Sequence, residues 1–279
     1  MRGRVLLCSD LDRTLLPNGL QPESPQARPL LRRLSQHPDV ILTYVSGRHL
    51  ALIEAAIAHY DLPQPAFAVG DVGTSIYRPD GGDWQLWERW SEHIAPDWAG
   101  HSREDLERLF ADIDGIAPQE AEKQGRFKLS YYADADIDHA ALCARLQARL
   151  QEAGVRASVV WSVDETSMTG LLDVLPAAAT KLGAVRCRRS ELGIAEADTL
   201  FAGDSGNDLP VLTSGLPAVL VANATAEVRA QALRQAPANG RLYCADGGFL
   251  GMNGNYAAGV LEGLAHFHPG LAAWLNAAG

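Results

Sequence analysis

Close to its start the chain reads Val5-Leu6-Leu7-Cys8-Ser9-Asp10-Leu11-Asp12-Arg13-Thr14-Leu15-Leu16-Pro17. The first four residues of this stretch form an apolar run that predicts a fully buried strand. Asp10 and Asp12 follow that strand two residues apart, so they point to the same side if strand pairing persists that far. Two neighbouring buried carboxylates are costly unless a cation or a proton separates their roles. The pair is therefore either a chemical site or two ordinary turn carboxylates.

Strands and helices alternate on both sides of the middle of the chain. Apolar β-rich runs occupy residues 40–45, 66–69 and 199–202, and amphipathic helical patterns occupy residues 25–36, 49–60 and 181–192. This alternation is typical of right-handed βαβ units and a parallel sheet. We therefore predict an α/β fold with a Rossmann-like parallel-sheet core.

The middle of the chain has a different, antiparallel α+β rhythm, which indicates a second module inserted into the first. We place the core at residues 1–84 and 175–279 and the inserted α+β module at residues 85–174.

Composition excludes several classes of protein. The net charge is −10 and there is no dense basic patch, which argues against a nucleic-acid-binding face. No apolar stretch is long enough to span a membrane, and the apolar run after the start is too short for a signal peptide. Four scattered cysteines without a Cys-x-x-Cys pair predict reduced thiols and a cytoplasmic setting.

Polar clusters follow three of the predicted parallel strands, where ligands bind in such sheets. They are the Asp10 and Asp12 pair, Ser46-Gly47-Arg48, and the Asp204 and Asp208 pair, with Lys181 heading the helix before the last strand. Converging carboxylates repel one another unless they hold a divalent cation, and oxygen ligands of this kind suit Mg²⁺. A lysine and a hydroxyl opposite that cation would hold a phosphoryl group. One aspartate can then attack phosphorus while another transfers protons.

This ordered set of motifs resembles that of the haloacid dehalogenase superfamily. The matching segments are Asp10-Leu11-Asp12-Arg13-Thr14, Ser46-Gly47-Arg48, Lys181 and Gly203-Asp204-Ser205-Gly206-Asn207-Asp208. The chain is most similar to the sucrose-phosphate phosphatase-like branch, through residues 9–16, 44–48, 70–77, 128–132, 173–176 and 261–267. That branch inserts a specificity cap between its second and third motifs, where the rhythm changes here. Arg13 departs from the branch pattern, in which a smaller polar residue is expected.

The resemblance implies a role for each matching residue. Asp10 would be the nucleophile and a Mg²⁺ ligand, and Asp12 the general acid and base, which also lends its backbone carbonyl to the metal. Ser46 and Lys181 would hold the phosphoryl oxygens. Asp204 would ligate the metal directly, and Asp208 would act through a water molecule or by contacting the residues that ligate the metal. Asp208 has a simpler interpretation as the N-terminal carboxylate of a helix.

Substrate contacts are expected at five further positions, which are Gly47, Arg48, Lys128, Asp173 and Asn207. Arg48 has a simpler interpretation as an exposed helix residue. Lys128 could face solvent on its strand, and Asp173 could cap the crossover between the modules.

The resemblance implies a Mg²⁺-dependent phosphatase that hydrolyses a phosphorylated disaccharide through an aspartyl-phosphate, with sucrose 6-phosphate as the first expected substrate. Mannosylfructose phosphate and a glycosyl-glycerol phosphate are the alternatives in the same class. A phosphosugar mutase or phosphotransferase, and a non-catalytic domain that binds a sugar-phosphate synthase, are alternatives in other classes. We expect a small-molecule sugar phosphate as partner, with a sugar-phosphate synthase as a second one, and a monomer or weak homo-oligomer.

Overall fold

The computed structural model of the protein describes residues 3–134, 136–164 and 168–277. The described chain divides into two compact units. Unit 1 contains the residues up to 70, residues 76–86 and the residues from 181 onward, and unit 2 contains residues 71–75 and 87–180. Residues 71–75 thus group with unit 2 although the predicted core includes them, and the domain bounds 1–84, 85–174 and 175–279 stay a prediction.

The strands of the described residues, in chain order, are β1 (Val5–Ser9), β2 (Val40–Val45), β3 (Phe67–Gly70), β4 (Ser75–Asp80), β5 (Asp83–Leu86), β6 (Ile116–Pro118), β7 (Leu129–Asp134), β8 (Ala157–Asp164), β9 (Thr169–Pro176), β10 (Thr199–Gly203), β11 (Ala218–Leu220) and β12 (Leu242–Cys244). The α-helices of the same residues are α1 (Ala27–Ser35), α2 (Leu50–His59), α3 (Glu88–Ile94), α4 (Arg103–Leu109), α5 (His139–Glu152), α6 (Lys181–Leu192), α7 (Leu209–Leu212), α8 (Ala226–Gln235), α9 (Ala257–Phe267) and α10 (Pro269–Asn276).

The described strands of unit 1 form an eight-stranded sheet in the order β12-β11-β10-β1-β2-β3-β4-β5. The neighbouring strands from β12 to β3 are parallel to one another, and β4 and β5 form an antiparallel hairpin. After β1 the chain builds the sheet outward through β2 and β3, and it later builds the other side through β10, β11 and β12. The order therefore reverses between β1 and β10, and the crevice beyond such a switch point is where open α/β sheets bind ligands. The predicted α/β fold with a parallel-sheet core is confirmed.

The core of unit 1 lies between this sheet and its helices. All residues of β1 and β10 are buried, as expected for central parallel strands covered on both faces. Helices α1, α9 and α10 pack against one another, and α9 lies on β10, β11 and β12. The approach is close at Gly263 of α9, because a Cβ there would lie 2.1 Å from Val219 of β11. Burial of each large apolar side chain in this layer contributes about 1.5–3 kcal/mol to the free energy of unfolding.

The described strands of unit 2 form a separate antiparallel sheet in the order β6-β7-β9-β8. Helices α4 and α5 pack against each other and against this sheet. Local sequence fixes where these helices begin: Ser102 and Asp105 form a capping box before α4, and the Asp138 side chain caps α5. Unit 2 therefore has the α+β character that the antiparallel rhythm predicts.

Four elements of the structure are not predicted by the sequence pattern: α3, β6, β12 and α10. Strands β6 and β12 have three residues each, which is too short for a hydrophobic period to be visible. Helix α3 begins without a side-chain cap, directly after the hairpin, and α10 begins at Pro269 immediately after α9. Neither helix start has the side-chain cap by which the start of a helix is recognised in a sequence, and each helix lies close behind the preceding element.

Candidate active site

Asp10 and Asp204 leave the sheet at the switch point, where β1 and β10 separate. The Asp10 backbone N–H donates to the Ala202 carbonyl at 2.9 Å, so the pairing of β1 with β10 continues to the first carboxylate. Both carboxylate side chains are buried. The strand ends therefore bring together the two acidic motifs that lie almost two hundred residues apart in the sequence.

Lys181, the first residue of α6, places its buried ammonium among these carboxylates. Its Nζ donates to Asp10 Oδ1 at 2.9 Å, to Asp208 Oδ1 at 2.7 Å and to Asn207 Oδ1 at 3.2 Å. The ammonium thus bridges the predicted nucleophile and the last acidic motif. A buried charge without such partners would cost several kcal/mol, so the three groups stabilise one another in the fold.

Asp208 is fully buried, and both of its oxygens are engaged. While Oδ1 accepts from Lys181, Oδ2 accepts from the backbone N–H groups of Asp204 and Ser205 at 3.1 and 3.2 Å. The turn is tight, because a Cβ at Gly203 would lie 2.5 Å from Asp208 Cγ. Asp208 is therefore placed to orient the lysine and the turn that carries Asp204. The simpler interpretation of Asp208 as a carboxylate at the start of a helix explains the Oδ2 contacts with backbone N–H groups, but it does not explain the contact of Oδ1 with Lys181.

Asp204 is held by two residues of the loop that follows β1. The Thr14 hydroxyl donates to Asp204 Oδ1 at 3.1 Å, and Arg13 Nε lies 3.4 Å from Asp204 Oδ2. The Arg13 side chain is 42% exposed, so its guanidinium lies at the edge of the site and in contact with solvent.

Asp12 is held by a bidentate ion pair with Arg48. Arg48 Nε and Nη2 donate to the two Asp12 oxygens at 2.7 and 2.6 Å, and Asn18 Nδ2 donates to Asp12 Oδ1 at 2.8 Å. Arg48 is therefore neither a free surface residue nor a free substrate ligand in this structure, since its guanidinium holds the predicted general acid.

Ser46 and Gly47 follow β2, and Gly47 lines the cleft that contains Asp10 and Asp12. Ser46 is buried, and its hydroxyl accepts a hydrogen bond from the Arg48 backbone N–H at 3.2 Å. An open cleft of about 430 Å³ in unit 1 has a lining of Asp10, Asp12, Arg13, Gly47, Arg48, Leu52, Asp204, Ser205 and Asn207. Two arginines at an otherwise acidic cleft give local positive charge on a chain with a net charge of −10.

The electrostatic environment shifts the pKa values of the three acids Asp10, Asp204 and Asp12 in different directions. Burial raises the pKa of Asp10 to about 7, although the Lys181 ammonium opposes the rise. Burial and the neighbouring Asp208 carboxylate raise the pKa of Asp204 to about 6. Burial alone would raise the pKa of Asp12 as well, but the hydrogen bonds and charge of Arg48 outweigh it and hold that pKa below its ordinary value.

Asp10, Asp204 and Asp208 form a cluster that could hold a metal ion. Each offers a carboxylate oxygen, and these oxygens lie within 4.8 Å of one another. Hard oxygen ligands of this kind fit Mg²⁺, and a divalent cation would offset the like charges that raise the pKa values of Asp10 and Asp204. The cluster found among the described residues does not include the Asp12 carboxylate, so the backbone carbonyl that we assign to Asp12 as a ligand stays a prediction.

These pKa values predict how pH affects the protein in the presence of a chelator. Asp204 has an ordinary pKa of 3.8 and a folded-state pKa of about 6, so the folded state binds more protons than the unfolded state in that range. The free energy of unfolding should therefore fall as pH rises from about 4 to about 6, and added Mg²⁺ should oppose the fall. Urea unfolding at several pH values measures this pH dependence of the unfolding free energy. Asp204→Asn should reduce the slope and leave the part that the raised pKa of Asp10 supplies, whereas Asp61→Asn at an exposed position should not change it. An unchanged slope in Asp204→Asn would contradict the assignment.

Lys128 and Asp173 lie together in unit 2. Lys128 Nζ is 3.9 Å from Asp173 Oδ1, and the Ser130 hydroxyl donates to the same oxygen. Ser130 of β7 pairs directly with Asp173 of β9. The Lys128 side chain is only 12% exposed, which disfavours its interpretation as a solvent-facing lysine. The pair forms a polar group on the inserted sheet, and its contact with substrate stays a prediction.

Two asparagines that contact the site residues, Asn18 and Asn223, are not among the residues predicted from the sequence. Asn18 donates to Asp12, and the Asn223 side-chain amide donates to the Arg13 carbonyl at 2.6 Å. Asn18 stands in Pro17-Asn18-Gly19, which reads as an ordinary turn. Asn223 follows β11, so the rule that ligand sites lie beyond the carboxyl ends of parallel strands could have identified it.

None of the helices in the described part of the chain is both long and apolar enough to cross a membrane.

Comparison with known proteins supports the same class of enzyme. Residues 3–268 match the model of the family described as sucrose-6F-phosphate phosphohydrolase. A protein of Nitrosococcus oceani described as a HAD-like hydrolase is 57% identical over 278 residues, which cover 99% of this chain and 75% of that protein. The mannosylfructose-phosphate phosphatase of Agrobacterium fabrum is 28% identical, with 96% of this chain and 98% of that protein covered.

A solved structure gives the same result at the level of the fold. The sucrose-phosphatase of Synechocystis, determined in complex with sucrose and phosphate, is 26% identical and has a TM-score of 0.73, with 95% of this chain and 98% of that chain covered. The chain therefore belongs to the sucrose-6F-phosphate phosphohydrolase family, whose sugar-phosphate phosphatases have the haloacid dehalogenase fold.

Proposed function

We propose that this enzyme is a Mg²⁺-dependent phosphatase that hydrolyses a phosphorylated disaccharide, sucrose 6-phosphate, to the free sugar and phosphate. The observation that carries the proposal is the Lys181 ammonium between Asp10 and Asp208, beside Asp204 and at the switch point of the sheet. This group offers a carboxylate nucleophile, a fixed cation and oxygen ligands for a metal within one cleft. These are the parts that phosphoryl transfer needs.

In the proposed mechanism an Asp10 oxygen attacks phosphorus and the bond from phosphorus to the sugar oxygen breaks. Asp12 gives its proton to the departing sugar oxygen, which leaves an aspartyl-phosphate on Asp10. Asp12 then takes a proton from water, and the water oxygen attacks phosphorus. The bond between phosphorus and the Asp10 oxygen breaks, which releases inorganic phosphate and regenerates the Asp10 carboxylate. Lys181 and the Ser46 hydroxyl hold the phosphoryl oxygens and stabilise the charge that develops on them. Mg²⁺, held by Asp10, Asp204 and the Asp12 carbonyl, would neutralise phosphoryl charge.

The Asp12 ion pair with Arg48 has a consequence for this mechanism. A carboxylate held by two guanidinium hydrogen bonds is ionised, so it can accept a proton but cannot donate one. We propose that substrate binding releases Asp12 from Arg48, after which the phosphate or sugar oxygens take over the guanidinium. The released Asp12 carboxylate then takes up a proton from solvent, and this is the proton that it gives to the sugar oxygen. Arg48 then becomes the substrate contact that the sequence predicts.

The substrate assignment is supported by the family and by the likeness to the sucrose-phosphatase structure. Mannosylfructose phosphate is the second candidate, because a relative named for that substrate aligns over 98% of its length. We assign sugar recognition to unit 2, with Lys128 and Asp173 as contacts, in the role of a specificity cap. A sugar-phosphate synthase, the class of enzyme that makes such a substrate, stays a predicted partner.

A panel of phosphate esters with Mg²⁺ tests the substrate assignment. The panel contains sucrose 6-phosphate, mannosylfructose phosphate, a glucosylglycerol phosphate and glucose 6-phosphate, and the readout is kcat/KM for inorganic phosphate release. We expect sucrose 6-phosphate to lead. A lead for mannosylfructose phosphate would establish the second candidate, and equal turnover of glucose 6-phosphate would rule out disaccharide selectivity. Transfer of the phosphoryl group to added sugar without phosphate release would identify a phosphotransferase.

The Asp12→Asn variant tests the assignment of the general acid. An asparagine cannot protonate the sugar oxygen, so kcat for a sugar phosphate should fall by about 10²–10⁴-fold. Nitrophenyl phosphate has a leaving group that needs no proton, so its rate of nitrophenol release in the first turnover should fall far less. Stopped-flow absorbance and a phosphate assay measure the two rates. If both substrates lost activity equally, Asp12 would not be the acid.

A further inference from the structure

Asn223 is a buried asparagine whose two amide ends hold two backbone segments of unit 1. Its Nδ2 donates to the Arg13 carbonyl at 2.6 Å, and its Oδ1 accepts from the Tyr256 backbone N–H at 2.8 Å. Arg13 and Tyr256 both have positive φ angles, of 57° and 52°, which are unfavourable for residues with a side chain. Asn223 therefore contacts the backbone at two strained positions, one of them in the catalytic loop.

Arg13 is the residue that follows Asp12, and its backbone is held from both sides. Its N–H donates to Asn18 Oδ1 at 2.8 Å, while its carbonyl accepts from Asn223. Asn18 in turn donates through Nδ2 to Asp12 Oδ1 at 2.8 Å. A continuous path of hydrogen bonds thus runs from Asn223 through the Arg13 peptide and Asn18 to the carboxylate of Asp12.

The left-handed conformation of Arg13 needs such support, because an L-residue without compensating contacts favours negative φ. If the Asn223 donor were lost, the turn after Asp12 could relax toward an ordinary conformation. That relaxation would shift the Arg13 N–H away from Asn18 and loosen the hold of Asn18 on Asp12. Displacement of a catalytic group by about 1 Å is enough to cost on the order of 10²-fold in rate.

We propose that Asn223 is a positioning residue for proton transfer: by fixing the left-handed turn at Arg13 it aims the Asp12 carboxyl at the leaving sugar oxygen. Asn223 acts through Arg13 and Asn18 and does not itself touch the substrate. This inference rests on the proposed function, because it takes Asp12 as the general acid.

The test is Asn223→Asp, which keeps the size of the side chain and the Oδ1 acceptor for the Tyr256 N–H. It replaces the Nδ2 donor by an oxygen, which cannot donate to the Arg13 carbonyl. We expect kcat for the disaccharide phosphate to fall by about tenfold or more, a part of the 10²–10⁴-fold that general acid catalysis supplies. The first-turnover release of nitrophenol from nitrophenyl phosphate should change by less than about threefold, and KM for the sugar phosphate by less than about twofold.

Asn239→Asp is the matched control. Asn239 has the same pattern of contacts, with Nδ2 donating to the Gly215 carbonyl at 3.3 Å and Oδ1 accepting from the Arg241 N–H at 3.1 Å, but it holds a turn outside the cleft. Its rates on both substrates should stay at the wild-type level.

Asn223→Ala removes the same donor without adding a carboxylate and shows whether charge alone explains the result. It should give the same preferential loss on the sugar phosphate. Adding Arg13→Gly should then restore part of the lost rate on the sugar phosphate relative to the rate on nitrophenyl phosphate. Glycine adopts positive φ without steric strain, so it does not need the Asn223 contact. A partial rescue in this double variant is an outcome that a general loss of stability would not produce.

The proposed function and the role of Asn223 can be overturned separately. If wild-type enzyme releases no phosphate from disaccharide phosphates, or Asp12→Asn affects both substrate types equally, the proposed function is wrong. If Asp12→Asn behaves as expected but folded Asn223→Asp and Asn223→Ala lose activity equally on both substrates, or lose none, only the role of Asn223 is overturned. Failure of both Asn223 variants to fold, with no recovery in the Arg13→Gly background, would make Asn223 a purely structural residue and would also overturn it.

Discussion

Asp10→Asn is expected to abolish turnover, with a fall in kcat on the order of 10⁴-fold or more for every phosphate ester. An amide is neither a nucleophile toward phosphorus nor an anionic metal ligand, so the substitution removes both functions that we assign to this residue. The fold should persist, because Lys181 keeps its contacts with Asp208 and Asn207 after the Asp10 charge is removed. Steady-state phosphate release with and without Mg²⁺ measures the loss.

Asp39→Asn is a suitable control for Asp10→Asn. It makes the same chemical change in the same unit but outside the cleft, and it should leave kcat at the wild-type level. Near wild-type activity in Asp10→Asn would mean that another group attacks phosphorus, and the assignment of the nucleophile would have to be abandoned.

Lys181→Met is expected to reduce both stability and activity. The substitution keeps the apolar stem but removes the ammonium, and so leaves Asp10 and Asp208 buried without their shared cation. Breaking a buried ion pair in this way costs about 3–5 kcal/mol of unfolding free energy. The loss of a fixed cation from the phosphoryl site should lower kcat by about 10²–10³-fold. Urea unfolding and phosphate release measure the two effects.

The stability loss in Lys181→Met should be largest in chelator, because Mg²⁺ at the carboxylates would replace part of the missing charge. Lys123→Met, at a lysine of unit 2 that is 43% exposed, is the control and should change the unfolding free energy by less than about 1 kcal/mol. Equal effects of the two substitutions would contradict the bridging role of Lys181.

The fold was predictable from the sequence because its central strands β1, β2 and β10 are runs of five or six mostly apolar residues. The bounds of β2 and α6 agree with the pattern residue for residue, at 40–45 and 181–192. Prediction failed at β6 and β12, which have three residues each, and at α10, which follows α9 directly. In those places tertiary pairing and packing define the element, and a local period does not exist.

The site was predictable to the extent that it depends on strand ends. The rule that places ligand sites beyond the carboxyl ends of parallel strands brings Asp10, Asp204 and Ser46 to one edge, as the structure has them. The rule says nothing of the contacts that side chains make once they meet. The Arg48 pair with Asp12 and the Asn223 contact with Arg13 join residues 36 and 210 positions apart, and only the folded chain shows them.

Arg13 illustrates the same limit. As a departure from the family pattern it has no assigned role in the sequence, yet the structure gives its backbone a left-handed turn and places its guanidinium beside Asp204. The residue type is visible in the sequence, whereas the conformation that makes it important is not.

Borohydride trapping of the phosphorylated enzyme decides whether Asp10 is the nucleophile. Borohydride reduces an aspartyl-phosphate to homoserine, and the Asp12→Asn variant with nitrophenyl phosphate should accumulate that intermediate because its hydrolysis lacks a base. Peptide mass spectrometry should then find homoserine at position 10 in reactions that contain substrate and Mg²⁺, and not in reactions without substrate. Turnover of nitrophenyl phosphate with an unmodified Asp10, or with homoserine at a different aspartate, would contradict the account.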